Sequence, residues 1–169
     1  MKQSFYGKIR SRGYDIGTEQ DEIFNYYLGK WKGLGKPNPV LEPMCGTGLN
    51  LIPLLEAGAD ADGLDSSPHI LEVFREKCDA KGFKAQLFEQ YMEEMQLPRK
   101  YGFIMIPGGS FGHIYDNGMA VQALKKIAAT LHDKSSGRKA SLADESTKID
   151  ALVKSTIEGC KLDPATDAA

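Results

Sequence analysis

The chain has 169 residues, 41% apolar and 26% charged, with a formal net charge of −2 at pH 7. That length predicts one globular domain able to bury a core without disulfide or metal staples. The acidic balance argues against the basic footprint of a nucleic-acid-binding domain, and no stretch approaches the about eighteen consecutive apolar residues of a membrane span.

Near the start, Met1-Lys2-Gln3-Ser4-Phe5-Tyr6 lacks the apolar core of a secretory leader. Thr18, with Asp21 three positions on, resembles a capping box, and Ile23, Phe24, Tyr27, Leu28 and Trp31 then recur at helical spacing. Gly33, Gly35, Pro37 and Pro39 end that helix and lead into a strand over Val40 to Met44. Asn50 to Ala57 is apolar nearly all round, as befits a helix lying on a sheet, and Gly58 is a suitable stop.

Ala61 to Leu64 reads as a second strand ending at Asp65. Ser66 or Ser67 caps the next helix, with Pro68 in its first turn and Ile70, Leu71, Phe74 and Cys78 as its inner stripe. Lys84 to Phe88 reads as a third strand. The continuous apolar run from Tyr101 to Ile106 predicts a central parallel strand buried on both faces. Asp116 or Asn117 precedes a further helix, with Val121, Leu124, Ile127, Ala128 and Leu131 on one face.

Alternating strands and helices predict an α/β fold, a Rossmann-like doubly wound and mainly parallel sheet. After Leu131 the pattern changes. Every aromatic residue lies at or before Tyr115, and Ser135-Ser136-Gly137-Arg138-Lys139 is turn material. Residues 144–158 fit one amphipathic helix, and no segment there has strand character. The expected organisation is a helical lid segment over 1–36, a cofactor-binding core over 37–131, and an atypical segment over 132–169 in which the last strands are missing or replaced.

The chemistry concentrates at the ends of the first two strands. Gly46 and Gly48 let backbone approach a ligand closely, and Asp65 stands roughly twenty residues further on, where nucleotide-binding sheets carry an acid for ribose hydroxyls. No Gly-Lys-Ser/Thr follows, so the turn is not a P-loop. Leu51 occupies the third glycine position of the dinucleotide fingerprint, which disfavours a nicotinamide cofactor. With Glu42 in front and no lysine or arginine between Lys36 and Arg75, the turn suits a ligand with cationic groups, such as a sulfonium with an α-amino group.

These residues carry a resemblance. Val40-Leu41-Glu42-Pro43-Met44-Cys45-Gly46-Thr47-Gly48 resembles motif I of the class I S-adenosylmethionine-dependent methyltransferases. Gly63-Leu64-Asp65-Ser66-Ser67 is similar to their ribose-binding strand end. Gln90 to Met95 falls at their adenine segment, and Tyr101 to Ile114 resembles their fourth strand and following loop. The resemblance covers roughly residues 10 to 131.

It implies S-adenosyl-L-methionine as cofactor, with S-adenosyl-L-homocysteine as product. Glu42 and the Gly46 to Gly48 backbone would surround the methionine moiety and Asp65 would hold the ribose. Gln90, Tyr91 and Met92 would lie along the adenine, and Pro107 and Gly108 near the methyl group. Cys45 and Ser66 join the expected cofactor-binding set, and Tyr14 joins it as part of the lid. Two features depart from the family: Gln90 and Tyr91 stand where an acid is frequent, and the segment after Leu131 lacks the usual later strands.

The expected function is methyl transfer to an oxygen or nitrogen of a small molecule. His113 is the candidate general base, set against the reading as a solvated or hydrogen-bonded loop histidine, and Cys45 is set against the reading as a small residue under the turn. The alternative is a non-catalytic cofactor-binding module that self-associates through an incomplete sheet edge, so a homodimer is possible. Neither nucleic acid nor membrane is an expected partner. Cys45, Cys78 and Cys160 have no paired spacing, and the three histidines have no ligand spacing, which predicts no metal and a reducing, cytoplasmic home.

Overall fold

The computed structural model describes Arg12, Gly13, Asp15 and residues 21–132. Tyr14, the Thr18 cap and everything expected of the segment from Asp133 onward lie outside the described residues.

The elements alternate as expected: α1 (Asp21–Gly33), β1 (Val40–Pro43), α2 (Leu51–Glu56), β2 (Ala61–Asp65), α3 (Pro68–Lys81), β3 (Leu87–Glu89), β4 (Phe103–Ile104) and α4 (Asn117–Thr130). Short 3₁₀ turns at Met92–Glu94 and Ser110–His113 lie between them. The four strands form a parallel sheet in the order β3-β2-β1-β4. A chain that steps outward from β1 to β3 and then crosses back to β4 is wound in both directions, so the Rossmann-like expectation holds.

Period-2 alternation sorts the strand residues onto two cores. Val40 and Ala61 face a core with Trp31 of α1, Leu51, Leu54 and Leu55 of α2, and Ile70, Phe74 and Cys78 of α3. Leu41 and Leu64 face the other, with Met95, Tyr101 and Ile127 of α4. The sheet is therefore covered on both faces, as parallel sheets require.

Local signals place the helix ends. Ser67, not Ser66, caps α3 by accepting the Ile70 N–H at 3.4 Å, with Pro68 in its first turn and Gly82 ending it at φ 71°. The Asp116 carboxylate caps α4 by accepting the Met119 N–H at 2.8 Å. Trp31 is held by its indole N–H, 3.1 Å from the Pro37 carbonyl.

Two strands differ from the sequence expectation. The apolar run at 101–106 contributes only Phe103–Ile104 to the ladder, and among the described residues β4 pairs on one side only, with β1. Tyr101 instead forms an isolated bridge to Leu131, and its hydroxyl is drawn to Asp62 at 2.7 Å. β3 starts at Leu87 rather than Lys84. On α4 the buried positions are Ala120 and Ala123, and Leu131 is exposed. No helix among the described residues is long and apolar enough to cross a membrane.

Candidate functional site

All four strands run in the same direction, so their carboxyl ends share one rim of the sheet, where β1 gives way to the turn at 44–50. Asp65 ends β2 beside this turn. One of its carboxylate oxygens accepts the Gly46 N–H at 3.1 Å and the other the Ser67 N–H at 3.0 Å. Burial pushes the Asp65 carboxyl up, and the N–H groups of Ser67, Gly46 and Ser66 oppose that shift. Each oxygen keeps acceptor capacity beyond these bonds, because an ionised carboxylate has about four lone-pair sites.

A cavity of about 580 Å³ opens beside Asp65. Met44, Leu64, Met92, Ile114 and Met119 supply apolar wall, Tyr91 and Tyr115 supply rings, and Asp65, Glu93 and Asp116 supply acids. Among the described residues no lysine or arginine lines it. Such a lining suits a flat heterocycle bearing hydroxyl donors and gives no counter-charge to a phosphate.

On the α1 face, Glu42 is 2% exposed and has one oxygen 3.4 Å from the Asn50 side-chain nitrogen. The other Glu42 oxygen and the Asn50 side-chain oxygen are buried with no hydrogen-bond partner among the described residues. Burial pushes the Glu42 carboxyl up to about 8; the Asn50 bond works against this and the Asp65 charge adds to it. Tyr27 of α1 belongs to the same neighbourhood. Its hydroxyl donates to the Ile106 carbonyl at 3.3 Å, and its own titration is raised by burial, by Tyr26 and by the Glu42 charge.

A family model described as a methyltransferase domain matches residues 40–134, more than half of the chain. The chain belongs to this methyltransferase family. Within it, the class I S-adenosylmethionine-dependent resemblance of the motifs is sustained by the fold. The methyltransferase CcbJ of Streptomyces caelestis is 20% identical, with a TM-score of 0.69 over 78% of this chain and 55% of its own. An S-adenosylmethionine-dependent methyltransferase of Clostridium acetobutylicum is also 20% identical, with a TM-score of 0.62 over 74% of this chain and 51% of its own. The sugar N-methyltransferase KedS8 of a Streptoalloteichus species is 23% identical, with a TM-score of 0.55 over 78% and 54%. The chain thus spans about half the length of these proteins. Comparison with curated protein sequences finds no match.

Of the residues singled out from the motifs, Asp65, Ser66, Gln90, Tyr91, Met92 and His113 line the cavity together. Glu42, Cys45, Gly46, Gly48 and Pro107 do not line it. Cys45 is 5% exposed, and burial, followed by the Asp65 and Glu42 charges, pushes its thiol well up; it stays a neutral small residue under the turn. Gly48, at φ 80°, serves packing directly, because a Cβ there would sit 2.4 Å from the Phe74 ring. The Gln90 amide is committed to Gln96, giving one bond at 3.2 Å and accepting another at 2.7 Å, while the Gln90 N–H reaches the Asp65 carbonyl at 3.1 Å.

Several contributors carried no signal in the motifs. Met44, Tyr115, Asp116 and Met119 complete the cavity wall. Lys77 reaches back from α3 to the glycine turn: its ammonium donates to the Thr47 carbonyl at 3.1 Å and pairs with Asp15, which also accepts the Thr47 hydroxyl. Arg12 pairs with Glu76 of the same helix at 3.0 Å. The turn that looked uncompensated in sequence therefore has a cation beside it, supplied through the fold from beyond Arg75.

Proposed function

We propose that this chain binds S-adenosyl-L-methionine and transfers its methyl group to a nitrogen or oxygen nucleophile of a small molecule. The observation that carries the reading is Asp65, fixed by the Gly46 and Ser67 N–H groups while facing a cavity that no lysine or arginine among the described residues lines. The residues fit the group. Asp65 has acceptor capacity left for a ribose diol, and the unpartnered oxygens of Glu42 and Asn50 are two buried acceptors suited to an ammonium. When bound, the cofactor supplies a sulfonium-activated methyl group open to in-line displacement.

The chain's own work is binding and orientation, which can carry most of such a reaction. Asp65 holds the sugar, the apolar wall takes the purine, and Glu42 pairs with the amino group. His113, exposed on the cavity wall, takes the proton of the acceptor. Sugar N-methylation by KedS8 and the amino pentose methyltransferase activity named for CalS10 of a Micromonospora species favour a nitrogen on a small polar molecule. Cys45 and Cys78, both free thiols, suit a reducing cytoplasm.

Calorimetric titration with S-adenosyl-L-methionine and S-adenosyl-L-homocysteine, with NADH as control, tests the reading. Micromolar binding of the adenosyl ligands is expected, weakened at least tenfold (about 1.4 kcal/mol) by Asp65→Ala. Absence of heat from both adenosyl ligands in folded protein overturns it.

A second reading has one observation of its own. Among the described residues β4 has a partner on one side only, and an open parallel edge invites pairing with another chain. In that reading the chain is a self-associating cofactor-binding module without turnover.

A further inference from the structure

Three positions in the turn after β1 have positive φ: Met44 at 60°, Gly46 at 56° and Gly48 at 80°. Two are glycine, the residue that adopts this conformation without strain, and at Gly48 the Phe74 ring leaves no room for a Cβ. Position 44 has the same backbone requirement yet carries a long side chain. Lys36, the other non-glycine residue of positive φ among the described residues, sits in the chain reversal after α1, its N–H bonded to the Trp31 carbonyl at 2.9 Å, and is exposed. Helix ends commonly use that conformation. Met44 follows a strand, is half-buried and stands on the cavity wall. Strain kept at a ligand site where glycine would relieve it points to work done by the side chain.

The chemistry of that wall indicates the work. Met44 shares it with Met92, Met119 and Tyr91, next to Asp65. Thioethers are polarizable and pack well against aromatic rings. We propose that Met44 is a specificity-determining contact of this cavity, held in a strained backbone so that its thioether packs on the nucleoside part of the ligand and excludes water beside Asp65. The proposal rests on the adenosyl-ligand reading above. It adds that the turn gives up stability to gain affinity.

S-adenosyl-L-homocysteine titrated into the unaltered chain, Met44→Gly and Met44→Ala, with a thermal melt of each ligand-free protein, tests it. Met44→Gly is expected to melt at least as high as the unaltered chain while binding five- to tenfold more weakly. Met44→Ala keeps the strained backbone without the thioether and should lose affinity by a similar factor. Unchanged or tighter binding in Met44→Gly overturns the proposal, as does a lower melting temperature for that variant. Loss in the glycine variant alone also overturns it, by assigning the effect to turn flexibility. If the unaltered chain gives no heat, the adenosyl reading itself fails and takes this one with it, an outcome distinct from equal binding by all three proteins.

Discussion

Glu42 is a buried carboxyl with one oxygen weakly bonded and the other without a donor among the described residues, and burial pushes it up to about 8 from the 4.5 of an ordinary glutamate. The folded chain therefore holds a proton that the unfolded chain releases throughout that window. Stability contributed by the neutral group is complete below about 4.5 and declines as pH rises towards 8, reaching a plateau above it. Melting temperatures of the unaltered chain should fall across the window by more than those of Glu42→Gln, which stays neutral; parallel curves would sink the assignment. A cationic ligand favours the ionised form, so adenosyl-ligand binding near pH 7 should release about one proton, read by calorimetry in buffers of different ionisation enthalpy. Glu42→Gln should abolish that release. At this scale the sequence revealed much: the glycine spacing and Asp65 are fixed by chain-local geometry. The orphaned oxygens of Glu42 and Asn50 were not legible, because burial of that pair depends on elements brought together by tertiary packing.

Between β1 and α3 the decisive contact is Gly48 against Phe74. Its Cβ-less face admits the ring, and Gly63 on β2 does the same from another side, where a Cβ would lie 3.0 Å from the ring and 2.7 Å from the Cys45 sulfur. Gly48→Ala combines overpacking with an unfavourable φ and is expected to cost about 2 kcal/mol or more. Denaturant melts should show the loss, and Phe74→Leu in the same chain should recover part of it; an Ala variant of unaltered stability would remove the packing role. Turns and caps were readable because Ser67, Pro68 and Gly58 act within a few residues of their own position, Ser67 through its side chain and the others through their backbone. The strand at 101–106 was read too long for the opposite reason. An apolar run reports burial, whereas a ladder needs a neighbour, and Tyr101 is engaged by Asp62 and Leu131 instead.

At the scale of the whole molecule the two ends of the sheet do different things. At the amino end of β2, Asp62 is 1% exposed and accepts bonds from the Tyr101 hydroxyl at 2.7 Å, Arg99 at 2.8 Å and the Gln86 N–H at 3.1 Å. Arg99 also grips Asp60 through two bonds of 2.8 Å. Tyr101→Phe removes one donor from a buried carboxylate and should cost about 1–3 kcal/mol in chemical denaturation, with the Kd for adenosyl ligands unchanged. A weakened Kd would mean that the two ends are coupled. Among the described residues β4 pairs only with β1, and the self-associating reading carries its own expectation: gel filtration should give a mass above the 18.5 kDa of one chain, and a clean monomer would count against edge pairing. Nothing in the sequence predicted the Asp60–Asp62–Arg99–Tyr101 cluster, since its members lie up to 41 positions apart in number and meet only because β4 returns beside β1.

Asp62 and Asp65 belong to the same five-residue strand, one at its anchored end and one at its chemical end. For protein engineering that division is useful. If Tyr101→Phe leaves the Kd unchanged as expected, substitutions around Arg99 and Tyr101 tune the stability of the fold while leaving ligand choice alone. In the proposed reading, substitutions around Asp65 act on ligand binding, on a scaffold whose durability is set elsewhere. A lineage built on such a strand is free to vary the ligand end without first re-inventing its foundations.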